Sequence, residues 1–273
     1  MGRKEGWKTN DRVLVMGILN VTPDSFFNGG RFGREEEAVA HGLRLVAEGA
    51  DLIDVGGEST RPGAEPVPVE EEIGRVVPVI RLLRKKVGVP ISVDTTKAEV
   101  AEAALSAGAD IVNDISALRF DPKMPRVVAK AGAGLVLMHM QGTPRDMQAS
   151  PHYQDVVREV REFLAERVEA AVDAGIDRAQ IAVDPGIGFG KTTEHNLWLL
   201  RRLTEFSELG QPILVGPSRK SFIGQILNLP VEERLEGTLA ACAVAVARGA
   251  DIVRVHDVGP VRRAVDLARR LRW

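Results

Sequence analysis

Short apolar runs alternate with longer amphipathic stretches along nearly the whole chain. The apolar runs are Val13–Leu19, Leu52–Val55, Ile91–Val93, Ile111–Val112, Gly134–Met138, Ile181–Val183, Ile213–Val215 and Ile252–Val255, each of strand length. Helical spacing marks Glu35–Glu48, Glu70–Val87, Ala98–Ala107, Pro122–Ala131, Tyr153–Ala174, Glu194–Phe206, Glu232–Arg248 and Pro260–Leu271. A short helix is expected near Ser221–Leu227, and a small hairpin in the polar lead before Val13. Eight strand–helix units in unbroken alternation predict an α/β protein, a single-domain (β/α)₈ TIM barrel over residues 1–273. An open doubly wound sheet would need a phosphate fingerprint that is missing. The repeated phrases beginning Gly49-Ala-Asp, Gly108-Ala-Asp and Gly249-Ala-Asp read as one turn reused at the bottom of the barrel, with Gly ending each helix.

Composition narrows the class. A chain of 273 residues with 44% apolar content can bury a large core, and a net charge of -2 gives no case for a polyanion-binding surface. No nucleic-acid-binding motif or basic stripe is present. Cys242, the single cysteine, reads as an inert core residue and excludes a disulfide or a cysteine metal site within one chain. No apolar run approaches the roughly 20 residues that span a bilayer, and the start of the chain lacks a signal region. A cytoplasmic protein with no membrane partner is the expectation.

Ile181–Lys191 is a strand, a carboxylate and a glycine-rich loop. It is no Walker A loop, because Pro185 stands where glycine is needed, and Gly186, Gly188 and Gly190 do not match G-x-G-x-x-G. In a barrel the functional groups gather at the C-terminal strand ends. Those ends carry Asn20, then Asp54 with Gly56–Gly63, Asp94-Thr95-Thr96, Asn113-Asp114, His139, Asp184, Ser218–Ser221 and Arg254–His256. Polar groups at all eight ends exceed what caps and turns explain. They form two chemical sets. Asp94, Asn113, Asp184 and Lys220 could line a slot for a guanidine-like ring edge, as in a pterin or guanine. Asn20, Thr60, Arg61, Ser218, Arg254 and His256 suit a phosphate. His139 and His256 lack partners at metal spacing, so a tight zinc site is not expected. Magnesium, held by one amide oxygen and substrate phosphates, fits better.

The segments Met16–Phe26, Gly56–Gly63, Ser92–Thr95, Asn113–Ile115, Leu137–Gly142, Asp184–Lys191, Gly216–Lys220 and Arg254–Val258 together resemble dihydropteroate synthases, in order, from residue 13 to about 270. The resemblance implies a pterin-binding barrel, generally a homodimer, using Mg2+. It would join 6-hydroxymethyl-7,8-dihydropterin diphosphate to 4-aminobenzoate in folate biosynthesis, a step targeted by sulfonamides. It also implies that Asp94, Asn113, Asp184 and Lys220 hold the pterin, with Met138 and Phe189 beside it. Asn20 would contact magnesium, and Arg254 and His256 the diphosphate. Thr60, Arg61 and Pro62 would belong to a mobile second loop, and Ser221 would lie near the aminobenzoate carboxylate. Asp94, Lys220 and Arg61 are the expected catalytic groups, and Ser218 a substrate contact. The first loop departs from the family pattern, with Asn28 where a second aspartate is usual.

Two other readings compete. A methyltransferase domain using methyltetrahydrofolate would share the pterin slot but has no use for Arg254, His256 and the Ser218–Lys220 loop. An inactive pterin-binding barrel would be marked by loss of Lys220, Arg61 or His256, and all three are present. Trp7 and Trp198 are expected to pack, Trp273 is terminal, and His41, His152 and His195 read as surface or capping groups.

Overall fold

A computed structural model describes Trp7, residues 12–22, 31–60 and 63–271, without the side chains of residues 31–34. The expected hairpin, the loop bearing Asn28, and Arg61, Pro62 and Trp273 lie outside the described residues. Eight strands alternate with helices: β1 (Leu14–Asn20), α1 (Arg31–Ala47), β2 (Leu52–Gly56), α2 (Val69–Arg84), β3 (Ile91–Asp94), α3 (Ala98–Ala107), β4 (Ile111–Asp114), α4 (Met124–Ala131) and β5 (Gly134–Met138). Then follow α5 (Val156–Asp173), β6 (Ile181–Asp184), α6 (Thr193–Arg201), β7 (Leu214–Val215), α7 (Ser221–Leu227), α8 (Leu235–Ala247), β8 (Ile252–Val255) and α9 (Val258–Arg270). The strands are parallel in the order β6-β5-β4-β3-β2-β1-β8-β7. A single parallel bridge, Val183 to Ile213, brings the two outer strands together and closes the barrel.

The strands read as continuous apolar runs because both faces are covered. Leu14, Met16, Leu52, Ile111, Val136, Ala182, Leu214 and Ile252 form an interior cluster with Trp7, which also donates from Nε1 to Gln180 O at 2.8 Å. Residues of the other parity, such as Val15, Ile53, Val93, Val112 and Val183, pack with the helices. Because side chains alternate, Asn20, Asp54, Asp94, Asn113, Met138, Asp184 and Arg254 continue the inward parity up each strand. The apolar face of α9 (Val258, Val261, Val265 and Ala268) is buried in the main core, so it closes the barrel wall.

The repeated turns do the structural work expected of them. Gly49, Gly108 and Gly249 have φ of 104°, 116° and 105°. The following Asp51, Asp110 and Asp251 accept from the backbone N–H of Val15, Ile91 and Ile213 at 2.9, 3.0 and 2.9 Å. Each turn thereby pins a helix end to the start of a neighbouring strand.

Several boundaries differ from expectation. β3, β4 and β6 run through Asp94, Asp114 and Asp184, because ladder pairs such as Asp94–Asn113 extend to those residues. The helix expected over Glu194–Phe206 ends at Arg201 and gives way to a 3₁₀ turn, Leu203–Leu209. The one expected over Glu232–Arg248 splits into a 3₁₀ turn and α8. Asp155 caps α5, accepting from Val157 and Arg158, so Tyr153 lies ahead of that helix. Trp198 is 43% exposed, with Arg201 over its ring, and does not pack as expected. His195 joins Thr192 in a capping box. No helix among the described residues is long and apolar enough to cross a membrane.

Candidate active site

A buried ionic cluster occupies the C-terminal mouth. Arg254 donates from Nε to Asp54 Oδ2 at 2.6 Å and from an Nη to Asp94 Oδ2 at 2.7 Å. Asn113 Nδ2 donates to the same Asp54 oxygen at 3.0 Å. Asp54 Oδ1 is buried with no hydrogen-bond partner among the described residues. Burial pushes the Asp94 carboxyl up to about 7; Arg254 opposes the shift, and Asp54, Glu72 and Asp114 add to it. Burial works against the Arg254 charge, but Asp54 and Asp94 outweigh it. Gly56 keeps this corner open: a Cβ there would stand 3.6 Å from Asp94 Cβ and 3.7 Å from Asn20 Oδ1.

β6 ends in a tight turn built around Asp184, whose Oδ1 accepts from Gly186 N at 2.7 Å. Gly186 has φ 71°, and a Cβ on it would fall 1.9 Å from His139 O, so no other residue fits. Gly188 (φ 81°) lets the Lys220 stem pass, where a Cβ would meet Lys220 Cδ at 2.9 Å. Lys220 donates to Ile187 O and lies 4.5 Å from the Phe189 ring centre. Burial lowers Lys220 to about 8, against the pull of Asp184 and Asp94, so it stays largely charged at neutral pH. Phe189 packs on an apolar wall of Ile115, Met138, Met140 and Met147. Carboxylates and an ammonium beside a flat apolar wall match a planar heterocycle with polar edges.

Beneath the glycine loop, buried Lys191 donates to Phe189 O at 2.9 Å and meets His139 Nδ1 at 3.0 Å. Burial holds Lys191 well below its ordinary range. His139 is pushed down to about 2, first by burial and then by Lys191 and Arg119, so its imidazole is neutral and braces the loop.

In the loops after β7 and β8, Ser218 Oγ accepts from His256 N at 3.2 Å and lies 3.0 Å from His256 Nδ1. Arg219, at φ 54°, grips Asp257 with two 2.8 Å bonds, and its N–H donates to Thr238 Oγ1 at 2.9 Å. This clamp fixes the strained turn that separates Ser218 from Lys220. Ser221 is exposed at the first position of α7, and His256 is exposed at the rim.

Asp94, Asn113, Asp184, Lys220, Phe189, Met138 and Arg254 therefore meet in one pocket, with Asn20 beside Asp94. Ser218 and His256 form a second pair, whereas Ser221 stands apart at the rim and half-buried Thr60 lies in the β2–α2 loop. Arg61 and Pro62 fall outside the described residues. Arg254, expected in the phosphate-binding set, bridges by its guanidinium to Asp94 of the ring-binding set. Asp114 is no ligand group: it faces outward and accepts from Ser116 and Leu118, holding a turn in which Ala117 and Leu118 have positive φ. Lys191 and Asp257 were not among the candidate residues, and Asp54, noted as a strand-end carboxylate, was assigned to neither chemical set. Asp54 did leave a signal, a carboxylate inside an otherwise apolar strand.

Comparison with known proteins agrees with this geometry. The pterin binding enzyme family model matches residues 16–256. A dihydropteroate synthase of Synechocystis is 53% identical over 248 residues, 90% of this chain and 86% of its own length. A Xanthomonas albilineans dihydropteroate synthase solved with 4-aminobenzoic acid superposes with a TM-score of 0.90 at 52% identity, covering 96% of this chain and 93% of that one. A second structure from that organism, in complex with 7,8-dihydropteroate, gives a TM-score of 0.87 at 47% identity, with 97% and 95% covered. The methyltransferase alternative is not favoured. With the barrel, the pocket and the sequence in agreement, the chain belongs to the dihydropteroate synthase family of pterin-binding enzymes.

Proposed function

We propose that the chain condenses 6-hydroxymethyl-7,8-dihydropterin diphosphate with 4-aminobenzoate, releasing pyrophosphate and 7,8-dihydropteroate. The observation that carries this reading is the Asp94–Arg254–Asp54–Asn113 cluster facing Asp184, Lys220 and the Phe189 wall. It is supported by relatives solved with 4-aminobenzoic acid and with 7,8-dihydropteroate. Asp94, Asn113, Asp184 and Lys220 hold the polar edges of the pterin, while Met138 and Phe189 cover its face. Arg254 turns from the carboxylates to the diphosphate, with His256 and Ser218 alongside. That transfer takes a positive charge from Asp94 as the C–O bond breaks, when its electron pair leaves with pyrophosphate and cationic charge spreads into the pterin. Asp94 then stabilises the cation electrostatically. The aniline nitrogen attacks the methylene carbon and loses a proton, so no protein nucleophile is needed. Ser221 lies where it can meet the aminobenzoate carboxylate at the rim.

Magnesium belongs to the same proposal. Asn20 Oδ1 lies beside the open Gly56 corner near Asp94, and no group of three or more His, Cys, Asp or Glu among the described residues could hold a metal. That donor set fits an ion taking one protein amide oxygen and the substrate phosphates. When bound, magnesium neutralises charge on the leaving diphosphate. Exposed Ile226, Leu227, Val231 and Val244, on and between α7 and α8, support homodimerisation through that face.

Incorporation of labelled 4-aminobenzoate tests the reading. Product that requires magnesium and disappears on chelation is the expected result. Folded protein that binds pterin yet yields no product in either condition would sink it. With pterin diphosphate at saturation, Asp94→Asn is expected to lose about 100-fold or more in turnover.

A further inference from the structure

Asp54 sits one inward layer below the ring-binding groups. In the ladder between β2 and β3 it pairs with Ser92, two positions under the pair of Gly56 with Asp94, and Asp94 in turn pairs with Asn113 on β4. Asp54 is 0% exposed, whereas Asp94 and Asn113 above it keep 9% and 3%. Fully covered, its carboxylate has no face left for a ring bound in the slot. Asp54 Oδ1 has no hydrogen-bond partner among the described residues, so the contacts run through Oδ2. That one oxygen takes Arg254 Nε at 2.6 Å and Asn113 Nδ2 at 3.0 Å.

The second of these bonds governs how Asn113 faces the slot. A side-chain amide has a donating and an accepting end of nearly the same shape, and its partners decide which end lies where. A carboxylate oxygen that already takes an Arg254 N–H offers Asn113 only lone pairs. The NH2 end of the amide is therefore drawn to Asp54, and the carbonyl end is turned from it.

We infer that Asp54 is a positioning residue that sets the Asn113 amide, so that the site selects a ring edge carrying an amino group over one carrying an oxo group. This deepens the proposed pterin site and rests on it. A ring amino group donates an N–H to Asn113 Oδ1. A ring oxo group in that place sets oxygen against oxygen, with no proton to share. Without Asp54 the amide is free to turn over and give an N–H to the oxo group instead. Loss of Asp54 also disturbs Arg254 and, through it, Asp94, but that weakens both kinds of ring alike.

The test is calorimetric binding of two phosphate-free ligands at one pH. These are 6-hydroxymethylpterin and 6-hydroxymethyllumazine, in which oxo replaces the 2-amino group. The readout is the ratio of their dissociation constants, which a loss of folded protein does not move. The wild type is expected to favour the pterin by about 100-fold or more. Asp54→Ser, whose hydroxyl can either donate or accept, and Asp54→Leu are each expected to lower that preference about tenfold or more. Asn113→Ala is expected to lower it as well, and Asp54→Ser added to Asn113→Ala to lower it no further. An unchanged preference in the Asp54 variants, with both ligands weakened together, overturns the inference. So does a further fall in the double variant. Wild-type protein that binds neither ligand would instead defeat the parent reading.

Discussion

Asp94 sets burial against charge inside the pocket. Burial raises it to about 7, so the folded chain favours its protonated form below that pH. The sign is that of a raised acid: its ionised form, the one proposed to accept ring N–H bonds, is lost as pH falls through about 7. Affinity for a phosphate-free dihydropterin, measured by calorimetry, should therefore fall about tenfold per pH unit below that point. In Asp94→Asn the profile should flatten, and a flat wild-type profile would remove Asp94 from the ring contacts. This residue was legible because a carboxylate at a strand's end has a known place in a barrel. Asp54 was less so, because it lies between Ile53 and Val55 and meets partners 59 and 200 positions away. Lys191 was hidden for a similar reason: sequence shows a lysine after a glycine loop, but not the His139 beneath it.

At the scale of elements, periodicity located every strand and misplaced mainly the ends. Leu203 and Phe206 are buried three apart and so continue a helical rhythm, although the backbone tightens to 3₁₀ beyond Arg201. There Arg202 turns to Glu205 and Asp155, ties that sequence spacing does not display. The glycine–alanine–aspartate turns were read correctly because the same phrase recurs at the same kind of junction. Asp110 shows what such a turn contributes, since it accepts from Ile91 N and from Arg84 at 2.9 Å. Asp110→Ala leaves both donors without that partner and should lower stability by about 1–3 kcal/mol in denaturant titration. It lies at the end of the barrel away from the pocket, so kcat/KM of the folded fraction should not change. A loss of activity beyond the unfolded fraction would show that the two ends are coupled.

For the molecule as a whole, the polar pocket groups gather at one end and stabilising turns at the other, a separation that follows from parallel strands and alternating side chains. The closure of the ring is uneven. β7 has two residues, and it approaches β6 through the Val183–Ile213 bridge, with Val183 N donating to Pro212 O at 2.9 Å. Pro212 has no N–H to return. Energetically, the barrel is an open sheet hemmed along one edge. Native-state hydrogen exchange should find the amides of residues 182–184 and 213–215 unprotected earlier than those of β2, β3 and β4; uniform protection around the ring would contradict this. Asp184 stands on one side of that hem and Lys220 beyond the other, so a pterin held by both acts as a clasp. Its binding should slow opening along the hem, and part of its affinity would be read in backbone amides it never touches.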